Sequence, residues 1–258
     1  MKILLTNDDG IRAPGIISLH KALSGLGELV VFAPETVQSA TSHGITYTSP
    51  LMTQKIDVTE HMSGVAVDGR PADCVKLAME ALWEERFGEG TKPDLTISGM
   101  NSGSNVGINI IYSGTVAAAI ESAFLGVPSI AVSLHLKNRE RTCYDRAAQI
   151  ARSVIDKVLE NKLEPHEVVN INVPACESPE MTMPEIKVVD MNASSVLGHY
   201  DKRVAPDGRT YYWAAGDGMA FTHTAEGSDV EALKQGCVTV TPLDYVLTHT
   251  TRMQMWRD

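Results

Sequence analysis

Short aliphatic segments alternate with segments of helical periodicity through the first two-thirds of the chain. The strand candidates are rich in aliphatic residues and end at polar or turn-forming residues; they cover 2–6, 28–33, 94–98, 129–134 and 168–173. Apolar residues recur at helical spacing in the segments 14–26, 71–83, 114–125 and 145–159. Alternation of this kind builds a mainly parallel sheet with helices on both faces. We therefore predict a Rossmann-like α/β fold, with a further β-rich pair at 44–49 and 64–68.

The pattern changes beyond about residue 180. Short β segments at 186–189, 211–214 and 238–241 are separated by turn residues, and no helical repeat lies between them. We predict one domain overall, in which residues 1–180 form an α/β catalytic core and residues 181–258 form a C-terminal extension of β-hairpins. The extension carries large apolar residues near its end, namely Leu243, Tyr245, Leu247, Met253, Met255 and Trp256. Exposing each would cost about 1.5–3 kcal/mol, so we expect an oligomerisation arm in a homodimer or larger assembly.

Two adjacent acids, Asp8 and Asp9, follow the first strand. Neighbouring side chains of a strand face opposite sides, so both acids reach one point only if the chain leaves strand geometry, which Gly10 permits. Two carboxylates at one strand end repel each other, and burial strengthens the repulsion. A hard divalent cation such as Mg²⁺, Mn²⁺ or Ca²⁺ would relieve it, because such ions prefer oxygen ligands. The alternative is that the acids cap the following helix or lie solvated in the loop.

A long loop rich in glycine, asparagine and serine follows the strand at 94–98. Its glycines are spaced four residues apart and no lysine follows them, so it is neither a dinucleotide-binding fingerprint nor a P-loop. Asn101 and Asn105 offer neutral oxygen atoms within it. Because ligands bind outside the carboxyl ends of parallel strands, we expect this loop to lie beside Asp8 and Asp9.

The same loop leads into the Ala-rich helix at Ser113, Gly114 and Thr115. A helix N-terminus presents free N–H groups and suits a phosphate or a sulfate. The alternative is an ordinary loop in which Ser113 is only an N-cap. A third polar loop, rich in hydroxyl groups, follows the second strand at 34–46. Three polar loops at strand ends, with acids first and an anion site last, favour a phosphate-handling site.

The composition restricts the partners. The net charge of −10 argues against a nucleic-acid polymer, which needs a basic surface. A small phosphorylated ligand is compatible with that charge, because a metal ion and backbone N–H groups supply a local positive field. No signal-peptide pattern and no apolar run of about 20 residues is present, so we expect no membrane partner. Four scattered cysteines without a C-x-x-C pair are typical of a reduced, cytoplasmic protein.

The sequence resembles the SurE family of survival proteins. The motifs that carry the resemblance are colinear over nearly the whole chain: NDDG at 7, APG at 13, PETVQSATSHGIT at 34, GRPADCV at 69, SGMNSGSNVG at 98, YSGTVAAAIES at 112 and VTVTPL at 238. The resemblance implies a metal-dependent phosphatase for nucleoside 5′- and 3′-monophosphates, some members also acting on short polyphosphate. It also implies dimers or tetramers, and metal ligands that correspond here to Asp8, Asp9, Ser39 and Asn101. This chain departs from the family at Ala40, where glycine usually follows the serine and gives a more permissive backbone.

The chemistry expected from the residues agrees with this resemblance. One Mg²⁺ or Mn²⁺ per subunit would lower the pKa of its water and polarise the phosphoryl group, so we expect attack by metal-activated water. The phosphate would be held by Asn105 and by the helix start, Ser113, Gly114 and Thr115. An aspartate nucleophile is the alternative route; a carboxylate committed to a metal is a poorer nucleophile.

No general acid can be assigned from the sequence. His43 lies four residues after Ser39 and is close enough in the chain to protonate a leaving group. A packed or surface histidine is the more common arrangement, and no two histidines have a helical zinc-ligand spacing.

Other classes of protein place paired acids after a first strand. A receiver-type signalling domain would need a phospho-accepting aspartate and a later lysine, where this chain has Ser98 and Ser133. A sugar deacetylase would need a histidine beside the acids, where this chain has Asn7 and Gly10. The remaining alternative is a non-catalytic, metal-dependent nucleotide-binding module.

Overall fold

The structure is a computed structural model, and it describes residues 1–216 and 218–257. Within these residues the main sheet contains β1 (Lys2–Thr6), β2 (Glu28–Pro34), β3 (Thr53–Thr59), β4 (Met62–Val67), β5 (Leu95–Ser102), β6 (Ser129–Leu134), β7 (Val168–Val173), β8 (Ile186–Val188) and β11 (Val238–Leu243). A separate antiparallel hairpin consists of β9 (His199–Val204) and β10 (Thr210–Ala215). The helices are α1 (Pro14–Ala22), α2 (Pro71–Leu77), α3 (Trp83–Phe87), α4 (Gly114–Phe124), α5 (Tyr144–Leu159), α6 (Asp229–Lys234) and α7 (Thr250–Met255).

The sheet is mainly parallel. Its order is β3-β4-β2-β1-β5-β6-β7-β11-β8, and the six strands from β4 to β7 in that order run parallel to one another. Strand β3 is antiparallel to β4 at one edge, and β11 is antiparallel to β7 near the other. The predicted fold class is therefore confirmed.

Helices cover both faces of the sheet, as the alternation within β1 shows. Ile3 and Leu5 lie in the core cluster that includes buried residues of α1 and α5, whereas Leu4 lies in the cluster that includes residues of α2 and α4. Successive strand residues face opposite sides, so a continuous aliphatic run serves two cores. The helix predicted over 71–83 is longer than expected, because a π-helical turn at Ala78–Leu82 joins α2 directly to α3.

The predicted pairing of segment 44–49 with segment 64–68 is wrong. Strand β3 pairs with β4 instead, and segment 44–49 is irregular. The cause is local: the backbone N–H and hydroxyl of Thr46 both donate to the Asp73 carboxylate, at 2.8 and 2.7 Å. A backbone donor bound to a side chain is lost to a strand ladder.

Part of the C-terminal extension completes the main sheet. Strand β11 lies between β7 and β8, and α6 packs against β11. The predicted strand alternation over residues 243–247 ends at Leu243, and the residues beyond it lead to α7. The division of the chain at residue 180 stays a prediction. No helix in the described ranges is long and apolar enough to cross a membrane.

Candidate active site

Three of the predicted metal ligands, Asp8, Asp9 and Asn101, lie at the ends of the two neighbouring strands where the strand order changes direction. From β1 the chain first builds the β2 side of the sheet and then crosses to β5 on the other side. Ligands of open α/β sheets bind outside the carboxyl ends of the strands at such a switch point. Asp8 and Asp9 follow β1 here, and Asn101 lies at the end of β5.

Asp8 lies against the start of α4. Asp8 is buried, with 4% of its surface exposed. Its Oδ1 accepts a hydrogen bond from the Thr115 hydroxyl at 2.5 Å. A Cβ built on Gly114 would lie 2.9 Å from the Asp8 Cβ, so only glycine allows this approach. Burial raises the pKa of Asp8 to about 6; the Thr115 hydrogen bond lowers it and the neighbouring Asp9 charge raises it further. A positive charge beside Asp8 would therefore favour its ionised form.

Asp9 joins the β1 loop to the end of β5. Its Oδ2 accepts the backbone N–H of Ser102 at 2.7 Å, and the Ser102 hydroxyl lies 2.9 Å from the Tyr144 hydroxyl at the start of α5. Asn101 is fixed nearby, because its Nδ2 donates to the Gly103 carbonyl at 2.7 Å. With the amide nitrogen committed to that bond, the oxygen is the atom of Asn101 suited to a cation.

The residue before Ser39 contacts the β1 loop, and the role of Ser39 as a metal ligand stays a prediction. Ser39 lies in the loop after β2 with an exposed side chain, and the N–H of Gln38 donates to the Asp8 carbonyl at 2.7 Å. Ala40 and Ser42 adopt φ angles of 56° and 55°, a left-handed conformation that non-glycine residues rarely adopt. The departure from glycine at Ala40 therefore falls on a position whose backbone favours glycine.

The start of α4 contacts Asp8, and Ser113 has a structural role there as well. Ser113 is the N-cap of α4, and its hydroxyl accepts the N–H of Val116 at 3.1 Å. Gly114 and Thr115 are buried next to Asp8. The N–H groups of a first helical turn have no carbonyl partner within the helix, so they suit an anion here.

Asn105 lies inside a buried amide network. Its Nδ2 donates to the Ser133 hydroxyl at 2.8 Å, and its backbone N–H donates to the Asn172 side chain at 2.8 Å. Its carbonyl accepts from the amide groups of Asn170 and Asn172. These contacts support a role in holding the glycine-rich loop, and binding of substrate by Asn105 stays a prediction.

The residues fit a divalent cation held by oxygen atoms. Within residues 1–216 and 218–257, neither Asp8 nor Asp9 forms an ion pair with a lysine, arginine or histidine. Beside them, the buried Oδ1 of Asn7 lacks a hydrogen-bond partner. The same part of the chain holds no cluster of three His, Cys, Asp or Glu side chains that could bind a metal ion. Two carboxylates with neutral oxygens suit Mg²⁺ or Mn²⁺.

Several contacts of the site were not predictable from local patterns. Thr115 and Asp8 are 107 positions apart, and Ser102 and Asp9 are 93 apart. Only the rule that strand ends meet at one edge brings them together.

A groove of about 860 Å³ lies between α4 and the β8–β11 edge, and its lining includes Ser42 and Ser113. Apolar side chains of α4, including Ile120 and Phe124, form one of its walls.

This chain is similar to known proteins over nearly its whole length. A sequence model of the family described as "Survival protein SurE" matches residues 3–196. The 5′-nucleotidase SurE of Rhodopirellula baltica is 44% identical over 262 residues, covering 100% of this chain and 98% of that protein. The 5′-nucleotidase SurE of Heliobacterium modesticaldum is 42% identical, covering 98% and 90%. A crystal structure of the SurE protein from Aquifex aeolicus gives a TM-score of 0.81 at 37% identity and covers 100% of both chains. This chain therefore belongs to the SurE family.

Proposed function

We propose that this protein is a 5′-nucleotidase, a metal-dependent phosphatase that hydrolyses nucleoside 5′- and 3′-monophosphates. The reaction class is supported by the relatives named 5′-nucleotidase SurE. The observation that carries the proposal is the contact between Asp8 and the start of α4 at Gly114 and Thr115. It places a carboxylate suited to a cation directly beside a helix N-terminus suited to a phosphate.

The divalent cation, Mg²⁺ or Mn²⁺, would be held by Asp8, Asp9, Asn101 and Ser39. When bound, it supplies charge neutralisation for the phosphoryl group and lowers the pKa of a water molecule. Asp8 is oriented for this role by the Thr115 hydroxyl, and Asp9 by the Ser102 N–H. Each aspartate is therefore oriented by at least one hydrogen bond from the protein.

The phosphate would be bound by the first turn of α4. The Gly114 N–H would orient it together with Thr115, whose N–H also interacts with the Asp8 carboxylate, and the positive end of the helix dipole would favour its charge. Ser113 is the N-cap of this turn, and its hydroxyl accepts the N–H of Val116. Because Asp8 is buried and already hydrogen-bonded, it is poorly placed as a nucleophile, which favours direct attack by water over a phospho-enzyme.

Phosphate release from a panel of 5′- and 3′-nucleotides, with Mn²⁺ or Mg²⁺ and with EDTA, tests the proposal. We expect hydrolysis that depends on the metal and stops with EDTA. Nucleotide binding without phosphate release would instead indicate a non-catalytic binding module. Hydrolysis that continues unchanged in EDTA would contradict the metal site.

Two further properties belong to the proposal. We infer a homodimer or homotetramer, because the C-terminal extension exposes large apolar side chains, including Leu247 at 96% and Trp256 at 82%. We also infer a cytoplasmic location, which is supported by the absence of disulfides among the four cysteines, all of them free.

A further inference from the structure

We propose that His43 and Glu121 form a latch that positions Ser39 for the divalent cation, an inference that rests on the metal site of the proposed function. The His43 Nε2 lies 2.7 Å from the Glu121 Oε2. Because a carboxylate accepts and does not donate, the imidazole carries a hydrogen on Nε2 in this contact. Glu121 lies on α4 about two turns beyond Gly114, so the latch ties the loop after β2 to the helix that faces Asp8.

The environment of Glu121 makes this contact important. Its side chain is 9% exposed, and a buried carboxylate needs hydrogen-bond partners. His43 is its hydrogen-bond partner, and the ammonium group of Lys76 forms a longer ion pair with it, at 3.7 Å. The His43 ring also stacks on Phe124, with the ring centroids 5.3 Å apart and the planes 12° from parallel. The imidazole is therefore held by α4 through both its edge and its face.

Only a short segment separates the latch from Ser39. On the N-terminal side of Ser39, the Gln38 N–H donates to the Asp8 carbonyl. On its C-terminal side the Ser42 N–H donates to the Tyr112 carbonyl at 3.1 Å, and the Ser42 hydroxyl donates to the Ile111 carbonyl at 2.7 Å. The latch follows immediately at His43.

Within the segment between these anchors, the Thr41 hydroxyl donates to the Gln38 carbonyl at 2.9 Å, a bond that does not fix the Ser39 side chain itself. Ala40 and Ser42 have left-handed backbones, and the Ser39 side chain is exposed. Conformations of this kind persist only where surrounding contacts fix them. Without the latch, we expect the loop to spend part of its time in arrangements that remove Ser39 from the site. The apparent metal affinity then falls by the fraction of protein in which the loop is correctly placed.

Two substitutions of His43 separate its hydrogen bond from its ring stacking. His43→Phe keeps an aromatic ring over Phe124 and removes the donor, whereas His43→Gln keeps a donor and removes the ring. Glu80→Gln is the matched control, because Glu80 is exposed and also pairs with Lys76, at 2.9 Å, without contacting the loop. The full-length proteins are compared by calorimetric titration with Mn²⁺, by thermal unfolding, and by hydrogen exchange of the Gln38 and Ser42 amides without metal.

We expect His43→Phe to weaken Mn²⁺ binding about tenfold, the effect of losing one hydrogen bond to a charged group. The amides of Gln38 and Ser42 should exchange faster in the same variant. His43→Gln should stay within about threefold of the wild-type Kd because the donor is retained. Glu80→Gln should match the wild type in Kd and in unfolding midpoint, whereas His43→Phe should lower the midpoint, because buried Glu121 loses its hydrogen-bond donor.

Equal Mn²⁺ affinity and equal amide exchange in His43→Phe and the wild type would overturn the latch. Should His43→Phe not fold, Glu121→Gln has the same shape and a weaker acceptor, and it should shift the Kd in the same direction by about threefold. Wild-type protein that binds Mn²⁺ but releases no phosphate would contradict the proposed function alone, because the Kd values still decide the latch. Wild-type protein that binds no Mn²⁺ would overturn both.

Discussion

Asp8 carries a charge that the rest of the described structure does little to neutralise. Burial and the nearby Asp9 raise its pKa to about 6 against an ordinary value of 3.8, in spite of the Thr115 hydrogen bond. That difference corresponds to about 3 kcal/mol at neutral pH. The metal-free fold therefore holds the ionised carboxylate at a cost, and a bound cation would remove that cost.

We predict that Asp8→Asn and Asp9→Asn each reduce nucleotide hydrolysis by about 10³-fold or more, since a lost ligand removes several kcal/mol of transition-state stabilisation. The free energy of unfolding of metal-free Asp8→Asn should equal or exceed that of the wild type, because a charge is removed and no cavity opens. Phosphate release at saturating Mn²⁺ and urea unfolding in EDTA measure the two effects. Wild-type turnover in either variant would remove that residue from the site.

Ala40 is a second residue whose local geometry predicts a measurable effect. Its φ of 56° costs an L-residue roughly 1–2 kcal/mol, and glycine avoids that cost. We predict that Ala40→Gly raises the free energy of unfolding by about 1 kcal/mol without loss of hydrolysis. The control is Ala151→Gly within α5, where the same change should destabilise the protein by about 1 kcal/mol. Destabilisation by both changes in urea titrations would contradict the left-handed backbone at Ala40.

Among the elements, α4 contacts more of the proposed machinery than any other helix described above. Its first turn faces Asp8, Glu121 in its middle holds the loop of Ser39, and Phe124 at its end packs against Tyr245 of the C-terminal extension. The ring centroids of Phe124 and Tyr245 are 4.6 Å apart, with an edge-to-face arrangement. A displacement of α4 would therefore move residues of the proposed metal site, of the proposed phosphate site and of the contact with the C-terminal extension at the same time.

Adding one methyl group at Gly114 tests how closely α4 must pack against Asp8. In Gly114→Ala, the added Cβ would lie 2.9 Å from both the Asp8 Cβ and the Pro71 Cγ, so α4 or Asp8 must move. We predict a loss of hydrolysis of at least about 100-fold, in line with the effect of a misplacement of about 1 Å on catalysis. The control is Gly198→Ala, whose Cβ would meet, among residues 1–216 and 218–257, only the Ala215 carbonyl at an ordinary 3.7 Å. Equal activity of the two variants in the phosphate-release assay would argue against the observed contact.

The sequence predicts those elements whose residues carry strong periodicity. Strands β1 and β7 are continuous aliphatic or alternating runs buried on both faces, and α5 repeats apolar residues over four turns. Strand β9 was missed because all six of its residues are exposed, so no packing imposes a pattern on them. Helix α6 was missed because six residues are too few for a helical period to appear.

The same limit applies to the candidate site. The adjacent acids and the glycine-rich loop could be predicted to meet, because strand ends share one edge of the sheet. The internal role of Asn105 could not, since Asn170 and Asn172 lie 65 and 67 positions away. The latch between His43 and Glu121 joins residues 78 positions apart and likewise has no local signal.

At the scale of the whole molecule, apolar side chains are exposed at two places in the C-terminal extension. The β9–β10 hairpin exposes Tyr200, Tyr212 and Trp213, and the segment around α7 exposes Met255 and Trp256. Exposed apolar surfaces of this kind are typical of protein–protein interfaces. They support the assembly proposed above, in which the extension reaches a neighbouring subunit.

Light scattering at micromolar concentration measures the assembly directly. We predict a dimer or tetramer for the full chain, and a smaller species for a truncation after Leu247, which removes α7 and leaves β11 intact. The circular dichroism spectrum of the truncated protein should show that the α/β fold is retained. A monomeric full-length protein would contradict the proposed assembly.

The position of β11 between β7 and β8 sets an order of events during synthesis. Synthesis of β7 ends at residue 173, but β11, which pairs with the edge of β7 that β6 leaves open, begins only at Val238. At roughly 5–20 residues per second, the edge of β7 waits several seconds with its backbone groups unpaired. Unpaired strand edges attract other strands, so nascent chains of this protein should need protection by a chaperone during that interval. Ribosome-stalled chains that end before Val238 should therefore aggregate more readily than chains that have passed it.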